Sequence, residues 1–176
     1  MRSIASLAAG MLLALPQVAL AAEPPCLTPS EATAVASYAL PSVISGTAER
    51  CSATLGASAY LPRNGAQLAQ RYAARKAAVW PEAKGALIKL SSTTNPDAMD
   101  MMKSLPDKTL QGLADTLVSG VVADKIPLTR CGVIDRFMAL VSPLPPESTA
   151  ELISLTLGLV SQGAQPKLGK LSVCKA

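Results

Sequence analysis

Six apolar–proline pairs punctuate the chain at fairly even spacing: Leu40-Pro41, Leu61-Pro62, Trp80-Pro81, Leu105-Pro106, Ile126-Pro127 and Leu144-Pro145. Proline has no amide hydrogen to give a helix, and its ring drives the residue before it towards extended backbone. Each pair therefore predicts the end of one helix and the start of the next. Between the marks the apolar residues recur near the helical period, as in Leu68, Tyr72 and Val79, in Leu110, Leu113, Leu117 and Val121, and in Cys131, Ile134, Met138 and Val141. Strict alternation is hard to find and alanine is abundant, which disfavours strands. The expected fold class is all-α, a single compact bundle of about six or seven short helices separated by proline.

The first helix carries the clearest local signal. Thr28-Pro29-Ser30-Glu31 has the pattern of a capping box, with proline at the first helical position, where a missing amide hydrogen costs nothing. With Pro41 as a stop, residues 29–39 and 41–53 are expected to form an antiparallel pair.

Residues 1–22 read as a cleaved secretory signal. Arg2 is followed by an apolar run from Ile4 to Leu15, and Ala19-Leu20-Ala21 supplies small residues for cleavage. Residues 23–176 are then one helical domain in the periplasm or outside the cell. Four cysteines, Cys26, Cys51, Cys131 and Cys174, fall in that part, and an even count in an oxidising compartment predicts two disulfides. The expected helical pair would bring Cys26 to Cys51, leaving Cys131 for Cys174.

The chain has no histidine. That removes the Ser-His-Asp and Cys-His nucleophile systems, HExxH zinc hydrolysis and most zinc and copper sites. No cofactor or metal is expected. Met99 and Met102 lie three apart, but two thioethers without histidine are better read as core filling than as a copper site. Asp97, Asp100 and Asp107 are the least implausible acids for a carboxylate enzyme, although no partner spacing accompanies them. Ser172 and Lys175 match S-x-x-K by letters alone, at the end of the chain.

The formal charge of +4 is modest, and its most basic stretch runs from Arg50 to Lys89. Within it Arg71 and Arg75 are one turn apart, with Gln67 a turn earlier and Lys76 and Trp80 following. These five residues are the candidate ligand site, for a phosphate or carboxylate such as a lipid headgroup, beside the plain alternative of a solvated face. Aromatic residues are 3% of the chain, too sparse to build the stacking platforms of a nucleic-acid protein. Residues 152–160 are apolar on nearly every side, which predicts a central buried helix, a homodimer contact or one wall of an apolar cavity. Together these features predict an exported, disulfide-stabilised binding or interaction module for an apolar or anionic small molecule, a headgroup or a protein. An enzyme with a carboxylate site is the alternative.

Overall fold

A computed structural model describes residues 26–91, 96–162 and 173–174, the side chains of 96–99 and 161–162 excepted. The predicted signal segment, Ser172 and Lys175 lie outside the described residues. Among those described, seven α-helices and one short 3-10 turn follow in order: α1 (Pro29–Cys51), α2 (Tyr60–Ala73), α3 (Lys76–Ser91), α4 (Pro96–Ser104), α5 (Asp107–Lys125), the 3-10 turn Leu128–Arg130, α6 (Cys131–Val141) and α7 (Pro146–Gln162). The sole β-type pairing among them is an isolated parallel bridge between Leu27 and Val173. The all-α bundle with two disulfides expected from the sequence is the observed architecture.

At the centre stands α1, with α2, α3, α5 and α7 packed around it. Four neighbours can reach one helix because its buried positions are mostly small: Ala32, Ala34, Ser42, Gly46 and Thr47. Gly46 marks the closest approach, since a Cβ there would stand 3.3 Å from backbone atoms of Ser119 on α5. Larger side chains fill the spaces between. Ile44, Leu40, Leu68, Tyr72 and Ala150 form one cluster, and Tyr38, Trp80, Ala83 and Leu110 form another.

Four of the six proline marks lie at helix starts or their flanks, and two do not. Pro106 and Pro127 are N-caps, and Pro145 precedes α7. Pro62 falls in the first turn of α2, where its missing amide hydrogen leaves no intrahelical bond unmade. Pro41 and Pro81 lie inside α1 and α3, which continue through them. An interior proline costs about 3 kcal/mol. In α1 that cost is outweighed by packing against four helices, a tertiary gain that local propensity does not contain.

The continuity of α1 overturns the expected disulfide pairing. A single 23-residue helix separates Cys26 from Cys51 by more than about 30 Å, far beyond bonding reach. Cys26 is bonded to Cys174 and Cys51 to Cys131. The first bond ties the entry of α1 to the chain that follows α7, and the second ties the exit of α1 to the start of α6.

The capping box is formed as read. The Thr28 hydroxyl accepts from the Glu31 amide at 3.2 Å, and the Thr28 amide donates to the Glu31 carboxylate at 2.7 Å. Lys89 also donates to that carboxylate, at 2.8 Å. The Lys89 ammonium first, then the Thr28 amide, hold the Glu31 carboxyl below its usual range. A depressed native pKa contributes stability that is present above the ordinary carboxylate value and is lost as the pH falls through the native one. Glu31→Gln keeps the cap but not the charge, so its melting temperature is expected to fall less than that of the wild type between about pH 5 and pH 3. Parallel melting curves in acid would refute this role.

The apolar helix α7 lies on the flank of the bundle, not at its centre. Ala150, Ile153, Ser154 and Leu157 face inward or are half-buried, while Leu152, Leu155 and Leu159 are exposed. Central burial of residues 152–160 is thus corrected. The small-residue helix α1 takes the middle because it can be approached closely on every side, whereas a leucine-rich helix holds its neighbours apart. None of the helices among the described residues is long and apolar enough to cross a membrane.

Candidate functional site

The packing of α7 against α1 leaves an apolar cleft of about 320 Å³. On the α1 side Ala32, Ala36, Ala39 and Val43 follow helical spacing, so short side chains share one face and leave a trough. Ile153 and Leu157 of α7 form the opposite wall. Leu27 and Val173 close one end, joined by their bridge, by a bond from the Cys174 amide to the Leu27 carbonyl at 2.7 Å, and by the Cys26–Cys174 disulfide. Ser154 fixes α7 against the start of α1, its hydroxyl donating to the Pro29 carbonyl at 3.0 Å. Every lining side chain is apolar. A volume at the lower end of the small-molecule range, about 300–1,000 Å³, suits a hydrocarbon chain or small apolar ring and offers nothing to an ion.

The basic residues singled out in the sequence are dispersed among several neighbours. Gln67 and Arg71 come together on an open pocket of about 520 Å³ that Tyr60, Asn64 and Gln70 also line. Arg71 donates to the Ser142 carbonyl at the end of α6, and its guanidinium lies 5.7 Å over the Tyr72 ring. Arg75 turns to Glu147 at 3.1 Å. Lys76 pairs with Asp115 at 2.5 Å, with its ammonium 4.4 Å over the Tyr38 ring. Trp80 is buried against Tyr38 at a ring separation of 4.9 Å.

Around Asp115 a polar network joins three helices. Its carboxylate accepts from Lys76 and, at 2.9 Å, from the Ser42 hydroxyl. The Tyr38 hydroxyl, which donates to the Gln111 carbonyl at 3.2 Å, is pushed well above its ordinary range by burial first and by the Asp115 charge second. Both partners of the carboxylate donate to the same oxygen, an arrangement that ties α1 and α3 to α5.

The sequence-stated acids are scattered. Asp107 pairs with Lys84 at 2.6 Å, and that ammonium is the main cause holding its carboxyl below the usual range. Asp100 faces Lys103 at 3.5 Å on the same helix, and the side chain of Asp97 lies outside the described residues. Met102 packs into the cluster around Trp80 and accepts from Ser91 at 3.2 Å, whereas the Met99 side chain is not described. No group of three or more Cys, Asp or Glu able to hold a metal occurs among the described residues.

No protein-family model, curated protein or solved structure gives a significant match to this chain. Its chemistry is therefore read from its own geometry.

Asp135 is the functional-looking carboxylate that sequence reasoning missed. It is buried on α6, and it accepts from the Leu61 amide at 2.6 Å and the Tyr60 amide at 3.1 Å. The residue preceding α2 is Ala59, which offers no side-chain cap. Asp135 takes its place from 75 residues away, which makes it a structural anion at a helix N-terminus. A partner so distant leaves no trace in the local sequence.

Proposed function

We propose that this chain is an exported binding module that holds an apolar small molecule, or the hydrocarbon part of an amphiphile, in the cleft between α1 and α7. The observation that carries this reading is the all-apolar lining of a preformed trough whose end is fixed by Cys26–Cys174. Two disulfides suit an oxidising compartment, to which residues 1–22 would direct the chain. Burying an alkyl chain there gains about 0.8 kcal/mol per methylene. Pre-organisation by the disulfide lowers the cost of ordering the site.

Titration with the uncharged fluorescent probe N-phenyl-1-naphthylamine tests the proposal. Saturable binding with a single site per chain is expected. Ala39→Phe places a ring in the trough from a half-buried position and should weaken the probe at least tenfold while leaving the melting temperature within a few degrees. Equal affinity in wild type and Ala39→Phe would move the apolar site elsewhere.

A second reading, an anionic small molecule at Gln67 and Arg71, is favoured by the pocket of about 520 Å³ that those two residues share. Arg75, Lys76 and Trp80 take no part in it, because each faces another neighbour.

A further inference from the structure

The helix α6 is apolar on two opposite faces, and the bundle uses one of them. Cys131, Asp135 and Met138 point inward to the disulfide, the α2 amides and the main cluster. Val133, Phe137 and Leu140 recur at helical spacing on the other side and are 64%, 57% and 78% exposed. Leu128 and Leu144, just before and after the helix, are exposed as well. Among the described residues the main packing partners of α6 are α2 and the preceding 3-10 turn, with the Cys51 bond and the Met138 contact on the same inward side, and Val133, Phe137 and Leu140 remain uncovered. A helix apolar on both sides has one side still to bury.

The exposed charges of the segment that carries the stripe are both positive. From Ile126 to Leu144 the ionisable residues are Arg130, Asp135 and Arg136. Asp135 is turned inward and consumed by the α2 amides, whereas both arginines are exposed. Arg136 lies one residue from Phe137 and one turn from Leu140, at the edge of the stripe. An exposed stripe of valine, phenylalanine and leucine flanked by two arginines is complementary to a surface that is apolar beneath and anionic above. A second copy of the same patch would instead set arginine against arginine.

We propose that the outer face of α6 docks this protein on an anionic lipid bilayer, with Val133, Phe137 and Leu140 entering the acyl boundary and Arg130 and Arg136 meeting headgroup phosphates. The helix lies in the interfacial plane and does not cross. The surface is separate from the α1–α7 cleft and does not depend on what the cleft holds.

Flotation of the full mature chain with unilamellar vesicles, three parts phosphatidylcholine to one part phosphatidylglycerol, reads the proposal. The chain is expected to float with these vesicles at about 0.05 M salt and to be released at about 0.5 M, where charges are screened within a few ångströms. Pure phosphatidylcholine vesicles should retain much less. Each basic residue at an anionic surface is worth about fivefold in partitioning, so Arg130→Gln with Arg136→Gln should cost about 25-fold. Leu140→Ser should cost about tenfold. Both variants change exposed positions, and an unchanged circular dichroism spectrum checks that the fold survives; Val133→Thr, nearly isosteric, serves if Leu140→Ser does not fold. Ala39→Phe should float as the wild type does, which separates this surface from the cleft. Equal retention on neutral vesicles, or retention unaffected by the arginine pair or by Leu140→Ser, overturns the proposal. So does absence of flotation together with a dimer, seen by light scattering, that Leu140→Ser dissolves; that result assigns the face to a second copy.

Discussion

Removing the buried disulfide, as Cys51→Ala with Cys131→Ala, is expected to destabilise the protein by about 4 kcal/mol and to lower its melting temperature by about 10 °C. The bond closes a separation of 80 residues, and in the chain-entropy model that length gives a value of this order. Its position adds a second consequence. Cys51 and Cys131 are both fully buried, at the junction where α1 ends and α6 begins. Helix α6 otherwise depends on contacts with α2, on Asp135, on Met138 in the main cluster and on the Arg71 bond to the Ser142 carbonyl. Without the bond, proteolysis should begin between residues 126 and 144 while α1 and its other neighbours persist. Chemical denaturation and limited proteolysis read the two parts, and a loss under about 1 kcal/mol would show that α6 is held by packing alone.

Asp135→Ala is expected to cost about 3 kcal/mol, a large loss for a side chain that carries no covalent tie. A charged acceptor of backbone amides contributes about 1.5–3 kcal/mol, and removal leaves the buried Leu61 amide without a partner. No residue beside α2 can replace it, since Ala59 occupies the cap position. Asp135→Asn retains one oxygen and should lose about half as much. Equal losses for alanine and asparagine would mean that a single neutral oxygen, with an amide nitrogen facing the other N–H, does not serve α2. A loss under about 0.5 kcal/mol for alanine would mean that solvent satisfies both amides.

Residues near one another in the chain were legible, and those brought together from afar were not. The capping box of α1 was readable because all four of its residues are contiguous. Helical content followed from period and composition, which are also local. Proline was read too strictly, because α1 and α3 keep Pro41 and Pro81 inside helices whose packing repays the lost bonds. That single misreading propagated into the cysteine pairing, since the expected hairpin and the observed continuous helix place Cys51 at opposite ends of the molecule relative to Cys26. The basic stretch showed where positive charge lies but not its partners. Glu147 and Asp115 lie tens of residues away from Arg75 and Lys76.

The cleft had a faint trace. Ala32, Ala36, Ala39 and Val43 form a small-residue stripe, yet in an alanine-rich chain such a stripe does not stand out. Whether it becomes a tight helix contact or a trough depends on the opposing side chains. Ile153 and Leu157 come from more than a hundred residues away and hold α7 off that part of α1. On α6, the periodic residues noted from sequence mark the inward side, while the outward Val133, Phe137 and Leu140 were masked by the expectation that apolar periodicity means core.

The α1–α7 cleft is tested most directly by methyl-resolved NMR of residues 23–176 titrated with dodecanoate. Binding in the cleft predicts saturable shifts of the Leu27, Val35, Leu157 and Val173 methyls, abolished in Ala39→Phe. Shifts confined to the surroundings of Gln67 and Arg71, or no saturable shift at all, would contradict it.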